Sequence, residues 1–423
     1  MRPAPFLAPL LALALGQTLY LPLDDRPPNL APCAWGPVLC PPREAYRGPE
    51  GADAGRLRAW LLATPGGRLV ASLDVLAYGG LLQGRHLPLA PEDALAWLLP
   101  LLSWKVRHGG EVYLFGVIPR WDATFRERNL QVLKALAPWA GLRGVYLEAV
   151  WDDAVRGSPA PREAALLPYP SRPGADEAGQ VLLLRASRPG LGVAVVYETP
   201  ALARQVTPYE GLPLEETVAR LLGSAAARPT ALEEGPDLVL YVYGGKSPRQ
   251  AALDLLRLMA RRPVALADPS RVNRGDPGLM AYLQGLGLYG RLFAYAAWGT
   301  PANNLGSALA QGGLFLGDRE GRLLRLAEAY FGYWWGEVGR PWVRARFPKP
   351  LPEGAGEVAA LWPHLVLEGR RVVLRRVAFP RKRAFEAWPE WGLAPTSWGG
   401  ELLEWVAAWV RSPGGEAAFL EII

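Results

Sequence analysis

Thr18-Leu19-Tyr20-Leu21-Pro22-Leu23 is an apolar run that stops at Asp24-Asp25-Arg26-Pro27. The same change recurs along the chain. Arg68–Leu73 meets Asp74, Glu111–Ile118 meets Pro119-Arg120-Trp121-Asp122, and Gly144–Val150 meets Trp151-Asp152-Asp153. Gly192–Tyr197 meets Glu198-Thr199, Asp237–Tyr243 meets Gly244-Gly245-Lys246, Pro263–Ala267 meets Asp268, and Arg291–Ala297 meets Trp298-Gly299-Thr300. Continuous apolar runs of this length are the mark of parallel strands covered on both faces. Segments 54–64, 91–108, 126–139, 176–187, 213–226, 248–262, 276–288 and 303–312 follow the strands with apolar positions at helical spacing. The pattern predicts an α/β fold, a (β/α)8 TIM-like barrel over residues 17–313, with the residues just past the strand ends converging on one functional face.

After residue 313 the pattern changes. Arg319–Trp335 reads as an aromatic-rich helix, Leu365–Val377 as a hairpin around Glu368-Gly369-Arg370, and Glu401–Val410 as an amphipathic helix, so a smaller C-terminal α+β domain is expected over 314–423. Residues 1–16 combine Met1-Arg2, the Leu/Ala-rich run Phe6–Leu15 and Ala14-Leu15-Gly16, the layout of a signal peptide, which predicts a secreted or periplasmic protein. A start codon chosen too far upstream is the alternative, with a cytoplasmic protein as its consequence. No later stretch has the roughly twenty apolar residues of a membrane span.

The net charge of +6 comes almost wholly from arginine, since Lys105, Lys134, Lys246, Lys349 and Lys382 are the only lysines. Arginine spread over the whole length argues for a solvated, ion-paired surface and against a nucleic-acid footprint, which concentrates on one element. Cys33 and Cys40 share one Pro-rich loop and are compatible with a disulfide or with two buried thiols. With His86, His108 and His364 the only histidines, the sequence argues against a His-ligated zinc or copper centre; converging Asp residues keep an oxygen-ligated Ca or Mg site open, and no cofactor is expected.

The chemistry-bearing residues are carboxylates. Adjacent Asp152 and Asp153 would push each other's pKa values apart, leaving one ionised and one protonated, which is the division of labour that glycoside cleavage requires. Asp176 and Glu177 open a helix after the long stretch Ala154–Ala175. There they are either N-terminal capping groups or the true acid/base, with Asp152 and Asp153 then binding substrate. Asp24, Asp25 and Arg26, with Asp74, Tyr78, Arg85 and Arg120, are candidate substrate contacts or a self-paired scaffold. Asp268, Asn273, Trp298, Thr300, Asn303 and Asn304 offer amides, hydroxyls and a stacking face of the kind that furnishes carbohydrate sites.

Several blocks together resemble a bacterial family known as domain of unknown function 4127. They are Leu21-Pro22-Leu23-Asp24-Asp25-Arg26-Pro27, Asp74 with Tyr78-Gly79-Gly80-Leu81, Asp152-Asp153, Gly174-Ala175-Asp176-Glu177, and Tyr295–Gly306. The resemblance implies no activity. Family members usually carry Trp-Asn-Thr where this chain has Trp298-Gly299-Thr300. The segment Val145–Val150 with Trp151-Asp152-Asp153-Ala154 is also similar to the strand-four aspartate pair of O-GlcNAcase-type barrel hexosaminidases, in which carboxylates work with the substrate's own acetamido group. These readings predict an exported glycoside hydrolase acting on a glycan or a smaller sugar substrate, with N-acetylhexosamine glycans first in line. The alternatives are a lyase or isomerase with a divalent metal on Asp24, Asp74 and Asp268, and a non-catalytic glycan-binding envelope protein.

Overall fold

The computed structural model describes residues 16–35, 38–47, 50–155, 157–334 and 337, and the backbone of 362–368 and 371–378. The strands in chain order are β1 (Thr18–Leu21), β2 (Val38–Leu39), β3 (Arg68–Ser72), β4 (Glu111–Ile118), β5 (Val145–Trp151), β6 (Ser171–Pro173), β7 (Gly192–Tyr197), β8 (Arg228–Pro229), β9 (Leu238–Val242), β10 (Val264–Ala267), β11 (Ala294–Ala296), β12 (Trp362–Glu368) and β13 (Arg371–Ala378). Every one of the expected apolar runs is a strand. β2, β6 and β8 are additional, each too short to announce itself as an apolar run.

The expected barrel is not formed. The strands lie in a six-stranded sheet, ordered β2-β1-β3-β4-β5-β6, and a five-stranded sheet, ordered β11-β10-β9-β7-β8. Both are parallel throughout. Among the described residues neither sheet closes. The reason lies in the short strands. β6 ends in Pro173 and β8 in Pro229, residues without the N–H that another neighbour would need, and proline in a sheet is confined to its edges.

The two sheets share one topology. In each, the first strand in the chain lies inside, flanked by the second on one side and the third on the other, and later strands step outward from the third. This is the doubly wound order in which the crevice for a ligand opens where the strand order reverses, beyond the carboxyl ends of the first and third strands. For the first sheet that point is β1/β3, and for the second it is β7/β9.

The chain divides into two compact units. Unit 1 comprises residues 1–187, Val206–Leu212 and Ala219–Ala225, and unit 2 comprises Arg188–Gln205, Pro213–Val218 and 226–423. The expected boundary near residue 313 therefore falls inside unit 2.

In unit 1, β1 is wholly buried and helix Ala178–Ser187 is apolar almost all round, as a helix covered on every side must be. Helix Pro91–His108 shows its start and stop in the sequence. Pro91 sits in the first turn with Glu92 and Asp93 next to it, and Gly109 takes the left-handed conformation while donating its N–H to Lys105 O. The stretch Ala154–Ala175, read as irregular, contains a short helix, Ala160–Ala164, and β6. In unit 2, helix Arg319–Trp334 and the antiparallel pair β12–β13 match the expected helix and hairpin. Residues 1–15 of the expected signal segment and the helix expected at Glu401–Val410 lie outside the described residues. Among the described residues no helix is long and apolar enough to cross a membrane.

Cys33 and Cys40 are joined in a disulfide that ties the turn Ala31–Ala34 to the end of β2. Because the bond closes only a short loop, its loss removes a modest constraint on the unfolded chain. Replacing both cysteines by serine is expected to lower stability by about 2 kcal/mol, read as a shift in urea midpoint that reductant reproduces in the parent protein.

Candidate functional site

In a parallel sheet all carboxyl ends lie along one edge, so within each sheet the residues just past the strand ends still lie along one side. At that edge of unit 1 the polar residues are joined by arginines. Arg26 donates from Nε to Asp24 Oδ2 at 2.8 Å and forms an ion pair through Nη2 with Asp176 Oδ1 at 2.6 Å, linking the end of β1 to the segment after β6. Asn29 Nδ2 adds a bond to Asp24 Oδ1 at 2.9 Å. Asp25 is buried next to Asp24. Gly80 is where this ring comes close to the backbone. Its φ of +137° suits glycine, and a Cβ there would lie 3.2 Å from Leu23 O and 3.4 Å from Asp24 Cβ.

At the end of β5, Asp152 is ion-paired to Arg85, with both side chains almost fully covered. Its neighbour Asp153 has φ +32°, a left-handed conformation that few non-glycine residues adopt and that Asp and Asn tolerate best. Asp153 is half-buried. Burial first, and then the Asp152 charge beside it, push its carboxyl up to about 6, against the opposing pull of Arg120 and Arg85. Arg120 itself pairs with Asp122 at 2.9 Å.

Asp74 and Glu177, expected at the surface of the site, are turned into the fold. Asp74 Oδ2 accepts the Val117 N–H at 2.8 Å, and burial pushes the group up to about 7. Tyr78 is buried with the Arg128 guanidinium 4.2 Å from its ring centre. Glu177 Oε1 receives Arg172 Nη1 at 2.6 Å, and Arg172 also contacts Glu148 Oε1 at 3.2 Å. All three side chains are sealed from solvent, and burial outweighs the arginine in raising Glu177 to about 7. Gly174, at φ +91°, makes room for that carboxylate, since any Cβ would collide with Glu177 Oε1. Asp176, one residue earlier, faces Arg26 and stays partly open.

The raised Asp74 gives a signed pH dependence. A carboxyl whose folded pKa of about 7 lies above its usual value contributes stability that is fully present below about pH 4 and is gone once pH has risen through about 7, at most about 1.4 kcal/mol per pH unit. Asp74→Asn keeps an oxygen for Val117 N–H and does not titrate. Urea unfolding at pH 5, 6, 7 and 8 should therefore show a shallower loss of stability in this variant than in the parent.

In unit 2 the residues expected to bind sugar hold loops together. Asp268 accepts the Asp276 N–H at 2.8 Å, the Ser270 N–H at 3.2 Å and the Ser270 hydroxyl, and burial pushes it up to about 6. Asn304 Nδ2 donates to Asp268 O at 3.0 Å, and its Oδ1 accepts the Gly299 N–H at 2.8 Å. Asn273 has φ +58° and donates its N–H to Gly299 O, and Thr300 stands at the N-cap position of helix Pro301–Leu314, its backbone carbonyl accepting the Asn304 N–H at 3.0 Å. Trp298 is half-buried with its ring edge-on to Tyr295, and the Asn303 carbonyl oxygen is buried with no hydrogen-bond partner among the described residues.

Arg172 and Glu148 were missed in the sequence, and Glu198 was noted only as a strand end. Arg172 sits in a Pro-rich stretch with no periodicity, whereas Glu148 had a usable signal, a lone charge in the middle of an apolar strand. Glu198, at the end of β7, accepts the N–H groups of Gly244 at 2.9 Å, Lys246 at 3.1 Å and Ser247 at 2.6 Å, filling the nest at the start of helix Pro248–Met259.

For the metal alternative, Asp24 is engaged by Arg26 and Asn29, Asp74 by Val117, and Asp268 belongs to the other unit. Among the described residues no group of three or more His, Cys, Asp or Glu is placed to share a cation.

Fold and site together define a two-unit parallel α/β protein whose charged residues gather at the carboxyl edge of each sheet. The chain belongs to the DUF4127 family, described as a protein of unknown function, whose model matches residues 18–140 and 155–349. The unmatched interval, 141–154, carries Asp152 and Asp153. No curated protein and no solved structure matches the chain.

Proposed function

We propose that this protein is an exported glycoside hydrolase whose reacting groups are Asp152 and Asp153 in unit 1. The observation that carries the reading is the asymmetry of that pair. Asp152 is covered and bound to Arg85, whereas Asp153, held in a left-handed conformation, is half-open and pushed up to about 6. A carboxyl poised in that range can protonate a leaving oxygen while its ion-paired neighbour supplies negative charge for the oxocarbenium-like transition state. The ring of Asp24, Arg26 and Asp176 supplies donors and acceptors for sugar hydroxyls at the same sheet edge.

N-acetylhexosamine-containing glycans are the first substrates to test. With both sheets open, the likeness to barrel hexosaminidases rests on the aspartate pair alone. The experiment is an assay of the purified full chain against a panel of defined glycans, with and without chelator, read by mass spectrometry of released sugars. Metal-independent release of a reducing sugar is the expected result. Binding without product would favour a glycan-binding protein, and activity abolished by chelator would favour a metal-dependent lyase or isomerase.

A further inference from the structure

The aspartate pair at the end of β5 is bracketed by two hydrogen bonds to one short segment. Trp151, just before the pair, donates its indole N–H to Glu210 O at 3.1 Å, and Ala154, just after it, donates its backbone N–H to Tyr209 O at 2.6 Å. The acceptors are consecutive carbonyls, Glu210 lying 59 residues beyond Trp151. The segment that supplies them is itself tightly made. Gly211, at φ +70°, donates its N–H to Thr207 O at 3.1 Å, Thr207 N–H reaches Leu212 O at 3.4 Å, and the Thr207 hydroxyl donates to Glu210 Oε2. Thr207 and Glu210 are buried, and Leu212 packs against the core of unit 1. Between the two brackets the backbone turns sharply. Asp153 is left-handed, at φ +32°, and Val155 N–H donates to Asp153 O at 2.9 Å. A residue with a Cβ keeps such a conformation where its surroundings over-determine it. With that turn the two carboxyls part, Asp152 to Arg85 and Asp153 to a half-open position.

We propose that Thr207–Leu212 is the positioning clip of the aspartate pair and that Glu210 is its central residue, acting through Asp153 and not on substrate. The inference rests on the assignment of Asp153 as the acid. Glu210 works in two ways. Its main chain, with that of Tyr209, fixes the strand end on both sides of the pair, and its side chain adds charge. Burial, and then Asp152, hold the proton on Asp153; Arg120 and Arg85 draw it off, and Glu210 joins the holding side. Placement matters as much as charge, because a reacting group misplaced by about 1 Å loses rate on the order of a hundredfold.

Glu210→Gln keeps the size of the side chain and an oxygen for the Thr207 hydroxyl, and removes the charge. With isotope-labelled aspartate, carboxyl-carbon NMR of the full chain follows each titration, and Asp153 is the signal lost in Asp153→Asn. Its midpoint is expected to fall by about half a pH unit or more in Glu210→Gln, while that of Asp74 stays in place. On a glycan that the parent cleaves, the alkaline limb of kcat should move down by the same amount, with KM within about twofold. Trp151→Phe keeps a ring and loses the N–H to Glu210 O, so kcat should fall at least about tenfold, again with KM within about twofold. Three results would overturn the proposal: an Asp153 midpoint that Glu210→Gln leaves unmoved, one that falls together with that of Asp74, as general loosening would produce, or Trp151→Phe turning over like the parent. A parent that releases no sugar would defeat the glycosidase reading alone, and the NMR midpoints would still decide whether Glu210 acts on Asp153.

Discussion

Asp153→Asn is expected to reduce turnover at least about a hundredfold, the usual scale for an acid/base group, while leaving the melting temperature near that of the parent protein. Asparagine is the right replacement because it tolerates the left-handed conformation that Asp153 adopts, so the variant removes a proton without adding backbone strain. The pH profile gives a second readout. If Asp153 acts in its protonated form, the parent rate falls as pH rises through about 6, and the variant's residual rate loses that limb. Asp152→Asn should differ in kind. It leaves Arg85 without its counter-charge in a covered position, so activity and stability fall together. Wild-type turnover by Asp153→Asn would defeat the assignment. Asp176 then becomes the first alternative, because it is partly open and faces the same edge, whereas Glu177 is sealed by Arg172.

Arg172→Met is expected to cost about 3–5 kcal/mol of folding stability, a large part of what holds a domain of this kind together. Without the guanidinium, Glu148 and Glu177 remain buried with no positive charge beside them, and the backbone oxygens of Pro173 and Gly174 lose their donor at 3.0 Å. The triple variant Glu148→Leu, Arg172→Met, Glu177→Leu should recover most of the loss, since replacing a whole buried ion cluster by apolar side chains is often neutral or better. Urea midpoints at constant m-value provide the comparison. A single variant that loses less than about 1 kcal/mol, the scale of an exposed pair, would mean that water reaches the cluster and that Glu177 is open after all.

The strands and most helices were legible because buried parallel strands are apolar from end to end and the helices between them keep a 3.6-residue rhythm. The order of the strands was not legible, since hydrogen-bonded partners leave no trace in local periodicity. The strands that would have corrected the barrel, Val38–Leu39, Ser171–Pro173 and Arg228–Pro229, are two or three residues long. The polar residues past the strand ends were legible as a group, but their individual contacts could not be sorted. Asp176 and Glu177 are neighbours with the same charge. They differ in role because one is met by Arg26, adjacent to an obvious motif, and the other by Arg172, hidden in a stretch that reads as loop. Asp74 looked like a ligand contact for a similar reason, because nothing in its neighbours shows that its carboxylate closes on Val117 N–H, from the next strand.

Unit 1 is finished by chain that is made late. Trp151 donates its indole N–H to Glu210 O, Ala154 donates its N–H to Tyr209 O, and Arg172 reaches Ser224 Oγ, all on segments that follow the first strand of unit 2. On the ribosome these acceptors emerge some tens of residues after Ser187, seconds later at ordinary elongation rates of about 5–20 residues per second. The nascent first unit therefore waits, with the Trp151 indole N–H and the Ala154 N–H lacking their acceptors and Arg172 one hydrogen bond short, until synthesis has passed residue 225. Release or proteolytic clipping at the apparent boundary near 187 would produce a fragment missing its own closing pieces, one that chaperones would meet as an unfinished domain.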